Sequence, residues 1–173
     1  FISIEAKNNL KSTKITLDKI SVGATINIVL AAVLIDGITV IDNVAIEPHV
    51  DDLICFLNRS GARITRVNRR IYCEGVKKLH GVTYKIYPDM IESLTYGTFL
   101  GVTRGDITLT GVNYDHIGYV ANIFTQMGYR IDNYYDEISI RVDNPIFGAS
   151  IKTAPYPLFP TDLHPQFASL LCF

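Results

Sequence analysis

Polar and apolar positions along this chain follow two periods, and each stretch predicts an element. Ile15-Thr16-Leu17 reads as a short strand, and Ser21 to Ile35 as a helix that is apolar on nearly every face, closed by Asp36-Gly37. Ile38-Thr39-Val40-Ile41 is a second strand. From Pro48 to Ser60 the apolar residues Val50, Leu53, Ile54 and Leu57 recur at helical spacing, with Gly61 where a helix stops. Arg63-Ile64-Thr65 and Ile71-Tyr72-Cys73 then form two strands joined through Asn68-Arg69-Arg70.

The same order recurs roughly 70 residues later, the signature of an internal repeat. Tyr84-Lys85-Ile86 is the strand, Ile91 to Val102 the apolar helix, and Ile107-Thr108-Leu109 the next strand. Asp115 caps a helix carrying Ile117, Val120, Phe124 and Met127, with Gly128 as its stop. Tyr129-Arg130-Ile131 and Ile138-Ser139-Ile140 close the unit around a turn at Tyr134-Tyr135-Asp136-Glu137. A third copy begins at Ser150-Ile151-Lys152-Thr153 and enters its first helix after Pro160-Thr161-Asp162. The repeating unit is β-α-β-α-β-β. Its first helix is expected to be buried on all sides, with sheets outside, and its second to lie on a sheet with one wet face. The missing initial Met and the apolar run Phe167 to Phe173 lead to the expectation of a fragment, with at least a further half-unit beyond Phe173.

Composition narrows the classes. Hydrophobic residues make up 48% and charged residues 19% of the 173, so the chain will collapse and intrinsic disorder is excluded. Lys+Arg 16 against Asp+Glu 17 leaves no basic excess, and no nucleic-acid partner is expected. Ser21, Thr25 and Asn27 interrupt the apolar stretch Ile20 to Ile35, so no membrane span is expected. Phe1-Ile2-Ser3-Ile4-Glu5 carries no secretory signature, which points to a cytoplasmic protein. Cys55, Cys73 and Cys172 lack CxxC spacing, and His49, His80, His116 and His164 are scattered. Reduced, structural thiols and no metal or cofactor site are the expectation. Asn58-Arg59-Ser60 matches a glycosylation sequon at a helix end, and is discounted in the absence of a secretion signal.

Two places could carry chemistry. In Asp18-Lys19-Ile20-Ser21-Val22-Gly23-Ala24-Thr25 a cation precedes a small turn that opens a helix, and free N–H groups, the dipole and Lys19 together suit a phosphate. Equally, Ser21 can be a plain N-cap, with Gly23 and Ala24 allowing close packing. In Phe159-Pro160-Thr161-Asp162, either Thr161 caps a helix whose dipole favours Asp162, or Asp162 is a base. A helix N-terminus weakens a carboxylate as a base unless burial or a nearby anion offsets it. Pro88-Asp89 reads as a cap, and His49 as a surface residue.

Leu17 to Thr25, Gly37-Ile38-Thr39-Val40-Ile41-Asp42-Asn43 and Glu47-Pro48 closely resemble the UDP-N-acetylglucosamine 1-carboxyvinyltransferase family of enolpyruvyl transferases. The similarity continues through Gly61-Ala62, Pro88-Asp89-Met90-Ile91-Glu92, Met127-Gly128 and Lys152-Thr153-Ala154-Pro155-Tyr156-Pro157 to Phe159-Pro160-Thr161-Asp162. The resemblance implies an α/β (α+β) fold, an inside-out α/β barrel of β-α-β-α-β-β units built as two domains. Residues 1–87 then match the last repeat unit of one domain, and 88–173 the first unit and start of the second unit of the other. It also implies that UDP-N-acetylglucosamine and phosphoenolpyruvate are the partners and that the active site lies between the domains. Lys19, Ser21, Val22 and Gly23 match positions that hold the UDP-sugar. Asp162 matches a sugar-contacting aspartate that takes the proton from the 3′-hydroxyl as it attacks C2 of phosphoenolpyruvate, in the first committed step of peptidoglycan synthesis.

The family's cysteine-bearing loop and Lys-Asn pair would precede Phe1, and its phosphate-gripping arginines would follow Phe173. The 173-residue chain alone is therefore expected to be inactive, and its self-association is an open reading. The chain departs from the family at Met90, where Arg is usual, at His49, where Glu is usual, and in Leu163-His164-Pro165-Gln166, usually Gln-rich. A non-catalytic UDP-sugar-binding relative and a 5-enolpyruvylshikimate-3-phosphate synthase-like enzyme are the alternatives.

Overall fold

The first sheet is built around one buried strand pair. The computed structural model describes Glu5 and residues 9–173, so the reading of Phe1-Ile2-Ser3-Ile4 falls outside the described residues. The chain divides into two units, Phe1–Ile86 and Tyr87–Phe173. The first runs β1 (Lys14–Thr16), α1 (Val22–Ala32), β2 (Ile38–Asp42), α2 (Pro48–Arg59), β3 (Arg63–Val67) and β4 (Arg70–Glu74). Its open sheet has the order β1-β2-β4-β3, with β1 parallel to β2 and the other pairs antiparallel. Ile41 lies opposite Ile71, both fully buried, and Cys73 shares their face. Val29 and Ala32 of α1 and Val50, Ile54 and Leu57 of α2 close over that face.

Helix α2 follows its sequence signals. Pro48 opens it where a missing N–H costs nothing, Asp51 sits in the first turn and Arg59 in the last, matching the dipole. Gly61 then takes φ 98°, the left-handed position that glycine occupies without strain. Arg66 grips Asp51 with two hydrogen bonds (2.6 and 2.5 Å), pinning the hairpin to α2. Asn58 is locked to the backbone of Ile64 through both ends of its amide (2.8 Å each), which engages the sequon side chain inside the fold.

The second unit contains α3 (Met90–Thr103), β5 (Gly105–Thr110), α4 (Tyr114–Gln126), β6 (Arg130–Tyr134) and β7 (Glu137–Val142). A 3₁₀ turn (Thr161–Leu163) and α5 (His164–Leu170) follow. The sheet order is β5-β7-β6, all antiparallel and open. Its core is aromatic: Phe124 stacks on Tyr129 (4.6 Å) and Phe167 (5.3 Å), and Phe159 meets Phe167 edge-on (4.8 Å). Gly97 makes room for this cluster, since a Cβ there would stand 2.8 Å from the Phe124 ring.

Three expectations are corrected. Tyr84–Ile86 forms no strand; the Tyr84 hydroxyl donates to Asp52 Oδ1 (2.7 Å), and its ring meets Phe56 edge-on and lies under Arg59. Ser150–Thr153 makes only a bridge between Thr153 and Phe159, because Pro155 and Pro157 lack the N–H groups that would extend a ladder. The cap of α4 is Asn113, which accepts from the Asp115 N–H (2.9 Å) and leaves Asp115 in the first turn. Neither α1 nor α3 is buried on all sides within its unit. Each meets its own sheet along one stripe, leaving Leu30 (46% exposed) and Leu34 beside α1, and Tyr96 and Phe99 (64%) on α3, in the open.

Among the described residues no group of His, Cys, Asp and Glu is placed to hold a metal ion, and no helix is long and apolar enough to cross a membrane. Burial pushes the Cys73 thiol up to about 11, whereas Cys172 is exposed and Cys55 half-buried. Because the thiolate is the nucleophile, iodoacetamide at mildly alkaline pH should label Cys172 first and Cys73 last, read by peptide mass spectrometry. Phe124→Ala should cost about 3–5 kcal/mol, measured by denaturant unfolding. At the fully exposed hairpin tip Tyr135→Ala should stay within about 0.5 kcal/mol.

Candidate functional site

After β1 the chain leaves the sheet and crosses to α1 on a short strap. Leu17 N–H donates to the Asp42 carbonyl (3.1 Å), and Asn43 Nδ2 donates to the Leu17 carbonyl (2.8 Å). Asp18 and Lys19 are exposed, Ile20 packs against the core, and Ser21 caps the helix in an extended conformation (φ −145°, ψ 121°). Ser21 Oγ accepts from the Ala24 N–H (3.2 Å). The N–H groups of Val22 and Gly23 occupy the first two helical positions, where a helix offers no partner of its own.

The first turn of α1 holds no acid against its dipole. α2, α3 and α4 carry Asp51, Glu92 and Asp115 in their first turns, while α1 carries no acid there and has Lys19 just ahead of it. A Cβ on Gly23 would meet nothing within 4 Å, so close packing inside this unit does not explain the glycine. The turn therefore joins Lys19, Ser21, Val22 and Gly23 on one accessible surface able to receive an anion.

Asp162 stands on the second unit. Phe159 and Leu163, both fully buried, anchor the chain on either side of it. Ala154 N–H donates to the Phe159 carbonyl (2.9 Å), holding the preceding loop. Pro160, not Thr161, occupies the cap position of the 3₁₀ turn and offers no side-chain bond; the Thr161 hydroxyl lies 3.4 Å from Asp162 Oδ1. Gln166, with its amide nitrogen toward the carbonyls of Asp162 (3.0 Å) and Leu163 (3.2 Å), reaches Thr95 Oγ1 (3.1 Å) on α3. Asp162 is exposed, as a group that meets solutes must be. Asp89 caps α3 by accepting from the Ile91 N–H (2.8 Å), and Met90 is buried in the apolar core beside Leu94. His49 is exposed on α2.

Two residues beside the strap lie within the family-like segments but have no role assigned by the sequence reading. Thr25 is wholly buried; its hydroxyl donates to the Ser21 carbonyl (2.7 Å) and accepts from the Ala45 N–H (3.0 Å). Asn43 stands at φ 59°, a left-handed conformation that Asn tolerates better than most residues. The hint in the sequence is a polar Thr on the buried side of a largely apolar helix.

One open mixed sheet and one open antiparallel sheet, each covered by helices and related as repeats, define an enolpyruvyl transferase type of fold. The enolpyruvyl transferase NikO from Streptomyces tendae superposes on 94% of this chain with a TM-score of 0.78 at 22% identity, and the chain covers 42% of it. An EPSP synthase from Acinetobacter baumannii matches 77% of the chain with a TM-score of 0.59 at 21% identity, covering 32% of that chain. The sequence profile of the EPSP synthase (3-phosphoshikimate 1-carboxyvinyltransferase) family matches residues 2–173, and the chain belongs to this family. Curated relatives called UDP-N-acetylglucosamine 1-carboxyvinyltransferase are similar over nearly its whole length. That from Wolbachia sp. subsp. Brugia malayi is 43% identical over 167 residues, 96% of this chain and 39% of the relative. A copy from Caldanaerobacter subterraneus is 43% identical over 172 residues, and one from Staphylococcus aureus 42% over 171, with 99% and 98% of this chain covered. The chain spans 39–41% of the length of these relatives.

The cap itself can be weighed apart from any ligand. Ser21→Ala should lower stability by about 1 kcal/mol and Ser21→Gly by only a few tenths, measured by thermal or denaturant unfolding.

Proposed function

We propose that this chain is part of an enolpyruvyl transferase that moves the enolpyruvyl group of phosphoenolpyruvate to the 3′-hydroxyl of UDP-N-acetylglucosamine. The observation that carries this reading is the 42–43% identity, over nearly the whole chain, to relatives bearing that name. The open, acid-free start of α1 supports it, because a nucleoside diphosphate needs such a cationic, N–H-rich surface. Lys19 supplies a charge to the diphosphate, Ser21 fixes the helix start, and the Val22 and Gly23 N–H groups point the backbone dipole at it. Asp162 contacts the sugar and accepts the 3′-hydroxyl proton as that oxygen attacks C2 of phosphoenolpyruvate; loss of phosphate then leaves the enolpyruvyl ether.

In this reading residues 1–87 are the last repeat unit of one domain, and residues 88–173 the first unit and start of the second unit of the other. Each domain is an inside-out α/β barrel. The uncovered apolar residues of α1 and α3 support that finer architecture, since central helices need neighbours on every side. The setting is the bacterial cytoplasm and the first committed step of peptidoglycan synthesis. Burial of Met90, where the family usually has Arg, favours a second reading: a relative that binds the UDP-sugar without turning it over. A 5-enolpyruvylshikimate-3-phosphate synthase-like activity has less support, because the relatives at 42–43% identity carry the UDP-sugar name.

Phosphate release from phosphoenolpyruvate with UDP-N-acetylglucosamine, measured on the full gene product carrying this chain, tests the proposal. Turnover is expected, with Asp162→Asn lowering kcat about 10²–10⁴-fold, and none from the 173-residue chain alone. Calorimetric binding of the UDP-sugar without phosphate release would replace it with the non-catalytic reading.

A further inference from the structure

The strap from Leu17 to Ser21 is fastened at both ends by one short loop. Asp42 and Asn43 hold Leu17, the first through its carbonyl (3.1 Å) and the second through its side-chain amide (2.8 Å). Two residues further on, the Ala45 N–H donates to the Thr25 hydroxyl (3.0 Å), which itself donates to the Ser21 carbonyl (2.7 Å). The span between these ties contains the exposed Asp18 and Lys19. Resting on the reading of α1's start as the UDP-sugar site, we propose that Asn43 and Thr25 are positioning residues, which fix the Lys19–Gly23 turn in its diphosphate-receiving geometry.

The second unit argues against a merely architectural role. There the turn after the corresponding strand is made by Gly111 at φ 73°, close to the 59° of Asn43. At Gly111 the turn is made with no side chain at all, so the turn by itself does not call for the reach of Asn43. Asn43 accepts the strained conformation and adds a side chain that reaches back 26 residues to Leu17. The α3 counterpart of Thr25 is Ser93, four residues after its cap, and it makes the same hydrogen bond to the Asp89 carbonyl (2.9 Å). Among the described residues no loop N–H reaches the Ser93 hydroxyl, so the tie from loop to helix is particular to the unit that carries Lys19. Thr25 is also fully buried, where a hydroxyl must keep its partners or lose stability.

Neither residue touches the ligand in this scheme, so their loss should weaken UDP-sugar recognition without disabling the chemical step. In the full gene product, Asn43→Gly keeps the turn and removes the tie, Thr25→Val keeps the volume and removes both hydrogen bonds, and Thr25→Ser keeps the hydroxyl. Calorimetry with UDP-N-acetylglucosamine should show about tenfold weaker binding for Asn43→Gly and for Thr25→Val, and recovery to within about threefold of the unsubstituted protein for Thr25→Ser. The KM for the UDP-sugar should rise in step while kcat and the KM for phosphoenolpyruvate hold within about twofold. Lys19→Ala separates the two claims. If it weakens binding while folded Asn43→Gly binds normally, the positioning role is overturned and the site reading stands. If Lys19→Ala binds normally, the site reading falls and the positioning role falls with it.

Discussion

Thr25 lies wholly buried beneath the first turn of α1, and its hydroxyl meets both of its hydrogen-bonding needs there, giving to Ser21 and receiving from Ala45. That pair of bonds fixes where the helix begins relative to the β2–β4 pair, because Ala45 lies three residues past the end of β2 and is itself fully buried. With the helix start placed, Ser21 can cap, Val22 and Gly23 present their N–H groups outward, and Lys19 rides on a strap of set length. The accessible helix terminus thus depends on an interaction hidden from solvent.

The same scaffold is used twice with different fillings. In the first unit an aliphatic core of Ile41, Ile71, Val29 and Leu57 supports a helix start without acids, and in the second an aromatic core of Phe124, Phe159 and Phe167 supports an exposed Asp162. Phe159 and Leu163 hold the chain on both sides of Asp162 by burial, whereas polar ties hold the Lys19 turn. A carboxylate on one residue needs a fixed backbone at that point; an anion-receiving surface needs several consecutive N–H groups aligned, and hydrogen bonds from a single loop provide that alignment.

Local chemistry explains which parts were legible in the sequence. Helix α2 could be read because Pro48, the Val50–Ile54–Leu57 stripe and Gly61 all agree. The strands expected at Tyr84–Ile86 and Ser150–Thr153 could not, since the fate of a three-residue apolar run turns on a distant Asp52 in one case and on flanking prolines in the other. Asn113 and Asp115 are both good caps two residues apart, and only the backbone path selects Asn113. The apolar faces of α1 and α3 exceed what their own sheets cover, because one sheet covers only one stripe of a helix. Lys19, Ser21, Val22 and Gly23 were open to proposal as a site because they fall within five neighbouring positions. Thr25 and Asn43 were not, because their meaning lies in bonds to residues 20 and 26 positions away.

If the start of α1 receives the diphosphate of a UDP-sugar, backbone amide hydrogen exchange will register the contact. On adding saturating UDP-N-acetylglucosamine to the full gene product, exchange should slow at the Val22 and Gly23 amides, which have no intrahelical partner. Unchanged exchange at both amides, with the ligand demonstrably bound, would contradict that contact.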